Sequence, residues 1–488
     1  MIEAMERQFF FENDRSVLPS LIGMYFEQEK FALAYYLSSL YADEFEELSD
    51  FKARALEALG LTPLRAEVHE THGKLATFEN LKWSIWEKYN AKLRLQPPDE
   101  FHMSRLFERD DFQICSYKPH CVAAAMHILT DDETSIILDC GAELTAEGVE
   151  RIPVREIVEH LGLALIDGVF ISHAHFDHYG SLNALPNVTR FMTQDTFNII
   201  RIMSPEIAPN NSQCVDMYST IELDGVRVTF IPNGHIQGSA LFDIDWKGER
   251  RIIFTGDFCI EDQVTCRGLN LDDLTADGKA VDILITESTY GRSREILPLK
   301  CCEEIFVELC RIHFQQSIKI IIPSFAVGRA AEVALLLRPL ARKFGCKILI
   351  DGLAANMTEY YQNTLGIPIV GANITVNRNC ERLDDNILDY DIIIASSGML
   401  KPGSASYRYM QSMLNLPRVC VMKVGFIREY EDMLVSVLNR QGKNLSFFDV
   451  PLSAHASRAS LTQFIDRISA INTLYVHGSG IEPLCFES

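Results

Sequence analysis

The stretch His173-Ala-His-Phe-Asp-His178 places three histidines and one aspartate within six residues, directly after the apolar run 168–172. His173 and His175 are two residues apart, so both side chains can point toward one metal ion from an extended turn. Asp177 and His178 can then reach a second ion. Neutral imidazoles and carboxylates suit a zinc pair, so the pattern predicts a metal-dependent hydrolase. The alternative interpretation is a histidine-rich surface loop that binds no metal.

Three further candidate ligands each close an apolar run beside a glycine. His235 lies within Asn233-Gly-His-Ile-Gln-Gly-Ser239, Asp257 within Phe254-Thr-Gly-Asp-Phe258, and His477 within Leu474-Tyr-Val-His-Gly478. Asp257 is the candidate bridging carboxylate, because it can place one oxygen on each of two ions about 3.5–4 Å apart. Taken alone, such an aspartate is often a cap or turn residue, and a lone histidine is usually a core group.

Asp139, in Leu138-Asp-Cys-Gly141, ends another apolar run. We expect its carboxylate to accept hydrogen bonds that orient the histidine stretch, as residues behind metal ligands commonly do. Capping of a turn is the alternative role.

The length of the chain, 488 residues with 47% hydrophobic content, predicts two or three globular domains. The formal charge of −22 argues against broad adhesion to nucleic acid or anionic lipid, but not against a local basic groove. The sequence has no apolar run of membrane-spanning length, and its first residues lack the order of a signal peptide. Thirteen cysteines without a C-x-x-C pair are expected to be reduced, and the predicted location is cytoplasmic with no membrane association.

Residues 1–111 are acidic and predict a helical extension, with examples at 29–41 and 50–59. Trp83 and Trp86 are three residues apart, which favours a packed helix face over a base-stacking platform. The pair Pro97-Pro98 is expected to break this pattern and to start a linker toward residue 112. An acidic segment does not attract a polyanion, so we expect this region to dock a protein partner or to gate a groove.

From residue 112 the pattern changes to short β-branched runs that end in polar, glycine or histidine residues. Strands are predicted at Ser135–Asp139, Arg227–Ile231, Arg251–Thr255 and Ile283–Thr286. After Gly291, buried parallel strands alternate with helical stretches such as Arg329–Leu337, which predicts a second α/β domain. Its strands are predicted at Lys319–Ile322, Lys347–Ile350, Asp391–Ala395 and Val419–Met422.

The order of these motifs resembles the metallo-β-lactamase fold, and within it the β-CASP branch of nucleic-acid-cutting enzymes. Bacterial ribonuclease J and the eukaryotic pre-mRNA 3′-end cleavage endonuclease belong to that branch. Besides the residues above, the matching positions are Glu287 in Thr286-Glu-Ser-Thr-Tyr-Gly291, His455 in Ser453-Ala-His-Ala456, and His477. The resemblance covers residues 112–488.

The resemblance implies an α/β protein with a four-layer αββα metallo-β-lactamase core, an inserted α/β β-CASP domain and the helical N-terminal extension. The core would comprise residues 112–294 and 451–488, and the inserted domain residues 295–450. By the same resemblance, one zinc is held by His173, His175 and His235, the other by Asp177, His178 and His477, and Asp257 bridges them.

The implied reaction is hydrolysis of a phosphodiester by in-line attack of a hydroxide shared by two metals. His455 would protonate the leaving oxygen, and Glu287 would hold its imidazole. Histidine at the position of His477 resembles the RNA-processing members, whereas DNA-processing members usually carry valine. The implied substrate is therefore single-stranded RNA, cut internally or from the 5′ end.

Candidate phosphate contacts lie at strand-to-helix turns, where backbone N–H groups and a guanidinium can bind anions. They are Ser324, Arg329, Ser396, Ser397 and Gly398. For Arg329 the alternative is a solvated residue at the start of a helix.

Other functions remain open at the level of sequence. A DNA nuclease of the same branch would prefer DNA over RNA, and a small-molecule metallo-hydrolase would leave Glu287 and His455 unexplained. A scaffold without catalysis would not be expected to retain every ligand. The ligand set suits two Zn²⁺ ions but would also accept Mn²⁺.

Overall fold

The structure is a computed structural model that describes residues 1–61, 101–145, 148–207, 211–293, 297–377, 387–401, 403–414, 416–425 and 445–481. The predictions at Trp83, Trp86 and Pro97-Pro98 lie outside the described residues. In the described part of the chain, no helix has both the length and the apolar character required to cross a bilayer.

The helices are α1 (Ile2–Glu6), α2 (Leu18–Glu27), α3 (Phe31–Leu40), α4 (Leu48–Ala58), α5 (Val154–His160), α6 (Phe176–Tyr179), α7 (Gln194–Met203), α8 (Asp272–Thr275), α9 (Leu299–Gln315), α10 (Arg329–Phe344), α11 (Leu353–Leu365), α12 (Ala405–Met413) and α13 (Arg458–Ile468). Shorter helical turns are the π-helical Arg7–Phe11 and the 3₁₀ turns Arg15–Val17, Leu182–Ala184, Pro205–Ile207 and Ile387–Asp389.

The strands are β1 (Met103–Arg109), β2 (Phe112–Tyr117), β3 (His127–Thr130), β4 (Ser135–Leu138), β5 (Ala142–Leu144), β6 (Val149–Arg151), β7 (Gly168–Phe170), β8 (Arg190–Met192), β9 (Ser212–Cys214), β10 (Thr220–Leu223), β11 (Val226–Pro232), β12 (Ala240–Trp246), β13 (Arg250–Phe254), β14 (Ile283–Glu287), β15 (Lys319–Pro323), β16 (Ile348–Asp351), β17 (Ile374–Val376), β18 (Ile392–Ala395), β19 (Val419–Val424), β20 (Leu445–Val450) and β21 (Asn472–Val476).

Two mixed sheets form a sandwich. The first has the order β1-β2-β3-β4-β7-β8-β9 and the second β10-β11-β12-β13-β14-β21. Their facing sides bury large aromatic residues: the rings of Phe112 and Trp246 are 4.8 Å apart, and those of Phe170 and Phe242 5.9 Å apart. Alternating side chains of a strand point to opposite faces, so each sheet also has an outer apolar face.

Helices cover both outer faces of the sandwich. Residues of α5 and α7 pack with the outer side chains of β4 and β7, and residues of α13 pack with those of β11, β13 and β14. The result is the four-layer αββα arrangement that the motif order implies.

The third sheet is wholly parallel, in the order β17-β16-β18-β15-β19-β20. Its strands are Ile- and Val-rich because helices cover both faces: α12 lies on one side, and α9, α10 and α11 on the other. Strand β14, which precedes this sheet in the chain, pairs in parallel with β21, which follows it. The third sheet is therefore inserted into the second one. Its strands β15, β16, β18 and β19 agree with the predicted ones to within two residues at each end, whereas β17 and β20 were not predicted.

The helices α1–α4 of the N-terminal extension pack on α9 of the inserted region. Arg311 Nη2 lies 3.3 Å from Glu6 Oε1, and Lys30 pairs with Glu308. Tyr36 donates a hydrogen bond of 2.9 Å to the Asp449 carbonyl. The acidic extension thus contacts the rest of the protein through complementary charges as well as apolar side chains.

The stretch predicted to be a linker at the end of the N-terminal extension contains a strand. Residues 103–109 form β1, which pairs antiparallel with β2, with an irregularity between Arg105 and Phe107. A strand here does not follow from the local sequence, because sheet pairing depends on a partner elsewhere in the chain.

Candidate metal centre

The predicted ligands converge where the strands of the two sandwich sheets end. The loop after β7 supplies His173 and His175, and the single-turn helix α6 supplies Asp177 and His178. Asp257 follows β13, His477 follows β21, and His235 lies between β11 and β12. Because parallel neighbours such as β13, β14 and β21 end at the same edge, residues far apart in sequence meet there.

Three histidine nitrogens and one carboxylate form the first group. His175 Nδ1 lies 3.1 Å from both His173 Nε2 and His235 Nε2. Asp257 Oδ2 lies 3.6 Å from His173 Nε2 and 3.9 Å from His235 Nε2. Ligands of a tetrahedral zinc ion are about 3.3 Å apart when the metal–nitrogen distance is about 2.0–2.1 Å. The spacing of this group therefore fits a zinc ion.

The other ring nitrogen of each of these histidines is already bonded. His173 Nδ1 lies 2.9 Å from Ser172 Oγ, and His235 Nδ1 lies 2.9 Å from the Ala454 carbonyl. His175 Nε2 points to the Val327 carbonyl at 3.4 Å. Donation to these oxygens leaves a lone pair on the nitrogen that faces the centre of the group, which is the state a metal requires.

A second group comprises Asp177, His178 and His477, whose ligand atoms lie within 4.8 Å of one another. His477 Nε2 lies 3.5 Å from Asp177 Oδ2. Asp257 joins the two groups, because its Oδ2 is also 3.3 Å from His178 Nε2. Within the described residues, the buried Nε2 atoms of His178 and His477 have no hydrogen-bond partner. A buried polar atom without a partner is costly, and a cation at this position would satisfy both.

Asp139 lies behind the candidate metal ligands, where the sequence analysis expected it. Its carboxylate accepts hydrogen bonds of 2.8 Å from Ser172 N and Ser172 Oγ and lies 2.8 Å from His178 Nδ1. The interaction leaves His178 Nε2 directed at Asp257. Asp139 itself has a positive φ of 60°, which aspartate tolerates better than most residues.

Close backbone packing holds the second group in place. A Cβ atom at Gly141 would lie 1.6 Å from the Asp177 carbonyl oxygen, so only glycine fits. The backbone of Cys140 donates to the His178 carbonyl, and Ala125 donates to that of Asp177. These bonds fasten α6 to the end of β4.

His455 and Glu287 lie beside the metal groups. His455 Nδ1 is 2.9 Å from Glu287 Oε2, and the rings of His455 and His235 are 4.7 Å apart. Glu287 also accepts from Phe258 N at 2.7 Å and from Thr289 Oγ1 at 2.6 Å. Thr289 was not singled out in the sequence, although it stands two residues after Glu287 in the same motif.

Burial and neighbouring carboxylates have opposite effects on the pKa values of the histidines at this site. Burial lowers the pKa of His173 and His235 well below the ordinary value, which favours the neutral, metal-binding form. Burial also opposes charge on His455, but Glu287 and Asp257 raise its pKa above the ordinary value. Burial would lower the pKa of His477, yet Asp257 and Asp177 raise it to about 10. The carboxylates thus attract positive charge to this site.

The candidate phosphate contacts lie in the inserted region with different exposures. Ser324 is fully buried and donates to the Ile322 carbonyl, and Ser396 is buried beneath α11 and α12. Ser397 is partly exposed, and Gly398 packs against Phe325, whose ring is 6.4 Å from that of His175.

Arg329 begins α10 and is only 6% exposed. Within the described residues its Nη1 has no hydrogen-bond partner, and burial lowers its pKa. Arg329 is therefore not the solvated residue at a helix start that was the alternative interpretation of the sequence.

The comparisons with known proteins agree with this fold. A family model described as the metallo-beta-lactamase superfamily matches residues 121–193. The endoribonuclease ysh1 of Schizosaccharomyces pombe is 24% identical over 412 residues, which cover 73% of this chain and 52% of the yeast protein. The probable RNase MJ4 of Methanocaldococcus jannaschii is 26% identical over 398 residues, covering 72% of this chain and 89% of the archaeal protein. The chain thus spans about half the length of its fungal relatives.

A solved structure shares the fold. It is titled a protein of unknown function from Enterococcus faecalis V583, with a TM-score of 0.50 and 15% identity, and it covers 76% of this chain and 95% of that one. The family match, the relatives and the sheet inserted between β14 and β21 lead to one conclusion. In its fold and in the order of its ligand motifs, the chain is similar to the β-CASP branch of the metallo-β-lactamase-fold nucleases.

Proposed function

We propose that this protein is a zinc-dependent phosphodiesterase that hydrolyses single-stranded RNA. The observation that carries the proposal is the pair of ligand groups joined by Asp257, with His455 held against Glu287 beside them. The relatives described above, an endoribonuclease and a probable RNase, support RNA as the substrate.

The residues that would hold the metals are those of the two groups. His173, His175 and His235 would bind one ion, Asp177, His178 and His477 the other, and Asp257 would contact both. The chemistry that two divalent ions supply when bound is polarisation of the phosphodiester and activation of the attacking water. The neutral imidazoles and carboxylates favour zinc, and the same set accepts manganese.

His455 is suited to protonate the leaving oxygen. Its Nδ1 is engaged by Glu287, so the ring orientation is set and Nε2 is left to carry a transferable proton. Glu287 is 2% exposed and accepts two other hydrogen bonds, which keep its carboxylate from rotating away.

Arg329 is a buried guanidinium in the inserted region: burial lowers its pKa, and the nearby Glu332 carboxylate raises it. An RNA phosphate would occupy the Nη1 donor, which has no hydrogen-bond partner among the described residues. Contacts of Ser324, Ser396, Ser397 and Gly398 with the substrate remain predictions. So do the role of the N-terminal extension in binding a partner and the cytoplasmic location.

The test is cleavage of end-labelled single-stranded RNA and matched DNA by the purified protein with added zinc or manganese. We expect cleavage of RNA, with a loss of about 10²-fold or more in the His455→Ala variant, the size typical of a missing general acid. Metal content, measured by mass spectrometry, should be unchanged in that variant. Asp177→Ala should lose both metal and cleavage, and the exposed His102→Ala serves as the matched control.

The pattern of cleavage products decides between the alternatives. Products of all lengths indicate internal cuts, whereas mononucleotides released from the 5′ end indicate an exonuclease. Preferential cleavage of DNA would overturn the RNA assignment in favour of a DNA nuclease. Bound metal with no cleavage of either polymer would favour a small-molecule hydrolase.

A further inference from the structure

The turn that carries His235, residues 233–239, is linked to the inserted region on two sides, directly on one and through Asp195 of α7 on the other. Gly328, at the start of α10, approaches so closely that a Cβ there would lie 2.6 Å from Ile236 Cγ2. On the other side, Gln237 Nε2 donates to Asp195 Oδ2 at 2.8 Å, and Tyr360 of α11 donates to Asp195 Oδ1. The position of this metal-binding turn is therefore coupled to the packing of α10 and α11.

Gln263 connects the same turn to the loop between β13 and β14. Its amide Nε2 donates to the carbonyls of Gly234 and His235, at 2.7 and 2.8 Å. Both amide hydrogens are thus used on backbone atoms of the turn, one of them on His235 itself. The Gln263 backbone N–H is bonded to the Cys266 carbonyl, which closes the loop into a tight turn.

Glu332 of α10 holds that loop from the inserted region. Its Oε1 accepts from Val264 N at 2.7 Å, and its Oε2 accepts from Thr265 N at 2.9 Å and from Thr265 Oγ1 at 2.7 Å. The residue is 1% exposed. A buried carboxylate with three donors is a strong and directional contact, because bonds to a charged acceptor are about twice as strong as neutral ones.

We propose that Glu332 and Gln263 form a positioning relay through which docking of the inserted region sets the place of His235 in the metal site. Glu332 fixes residues 264 and 265, these fix Gln263, and Gln263 fixes the backbone of His235. Neither residue touches the ligand nitrogens, so both act through other groups. The relay adds to the proposed function and depends on it, because the proposed function identifies the metal site.

A consequence follows from the reciprocity of coupled equilibria. If docking of α10 favours the metal-binding position of His235, metal binding favours docking of α10 by the same free energy. The packing of the inserted region against the sandwich then depends on whether the metal site is occupied.

The test is a zinc titration of the full-length, metal-free protein against a chromogenic chelator, in Glu332→Gln and Gln263→Met variants. Glu332→Gln keeps the shape but turns an NH₂ group toward a backbone donor, and Gln263→Met removes both amide donors. We expect one of two zinc sites to weaken by about 10-fold, the lower end for residues that support ligands, while the other is unchanged. Glu304→Gln, an exposed position on α9 with the same charge change, is the matched control.

RNA cleavage by both variants should return toward the wild-type rate in excess zinc, because the weakened site refills. A role in stability alone would lower the melting temperature without selecting one zinc site. Titrations identical to wild type, or equal weakening of both sites, would overturn the relay. If the wild type binds no zinc, the relay and the proposed function both fail. If it binds zinc but cleaves no RNA, only the proposed function fails. The zinc titration of the variants then tests the relay by itself.

Discussion

At the scale of single residues, the site depends on how each imidazole is held by its outward nitrogen. Asp139 holds His178, Ser172 holds His173, and the Ala454 carbonyl holds His235. A histidine that donates from one nitrogen presents a lone pair on the other, so these oxygens select the tautomer that binds metal.

We expect Asp139→Asn to weaken zinc binding by about 10- to 100-fold, because an amide NH₂ in place of Oδ2 no longer accepts from His178 Nδ1 and Ser172 Oγ. A zinc titration against a chelator measures the change. The exposed Asp132→Asn variant controls for the loss of one negative charge. Equal affinities of the Asp139 and Asp132 variants would contradict an orienting role for Asp139.

At the scale of secondary-structure elements, the N-terminal helices behave as part of the inserted layer. Phe10 is 7% exposed, and its ring lies 5.1 Å from that of His313 on α9 and 5.9 Å from that of Phe448 on β20. These contacts, with the ion pairs between the extension and α9, make α1–α4 an additional cover for one face of the third sheet.

Phe10→Ala should loosen this cover, because truncation of a buried phenylalanine typically costs about 3–5 kcal/mol. Amide hydrogen exchange should accelerate in α2 and α3 while strands β11–β13 keep their protection. Leu40→Ala, at a position 48% exposed at the end of α3, is the matched control. Acceleration spread evenly over the whole chain would contradict a local role.

At the scale of the whole molecule, bound metal should contribute directly to stability. Four sequence-distant segments, which carry His178, His235, His455 and His477, place imidazole nitrogens within 3.9 Å of the Asp257 carboxylate. A ligand that binds only the folded state stabilises it by about 4 kcal/mol at roughly 1,000 times its dissociation constant. We expect a chelator to lower the melting temperature of the wild type, and to have much less effect on Asp257→Asn. An unchanged melting temperature on chelation would contradict metal binding at this site.

The stability of the assembled layers should also depend on pH through His313. This residue is fully buried, and burial lowers its pKa from 6.5 to about 4. The unfolded chain therefore binds a proton as the pH falls below 6.5 while the folded chain does not. The free energy of unfolding should fall by about 1.4 kcal/mol per pH unit between those values, with no effect of this group above pH 6.5.

His313→Phe should reduce that slope by one proton. The measurement is the urea midpoint of unfolding at pH 7, 6, 5 and 4, compared between the variant and the wild type. The His160→Phe variant is the control, because it makes the same substitution at an exposed position. Parallel pH profiles of the His313 variant and the wild type would contradict the predicted cause.

Much of the architecture was predictable because its signals are local. Runs such as Ile283–Thr286 and Lys319–Ile322 are short, β-branched and bounded by polar residues, and they form β14 and β15 with shifts of one residue. The strand at 103–109 was not predictable in this way, because its formation depends on pairing with β2. The domain boundaries at 111, 294 and 450 and the assigned roles of the site residues remain predictions.

The sequence by itself determined the kinds of ligand and their order along the chain, since His173 to His178 are brought together by a single turn. Only the tertiary structure decided which atoms hold those ligands in place. The oxygens of Val327 and Ala454, and the relay from Glu332 to His235, come from residues up to 219 positions away from the histidines they support. Such contacts leave no periodic or compositional signal, because they depend on where the inserted sheet and its helices come to rest against the sandwich.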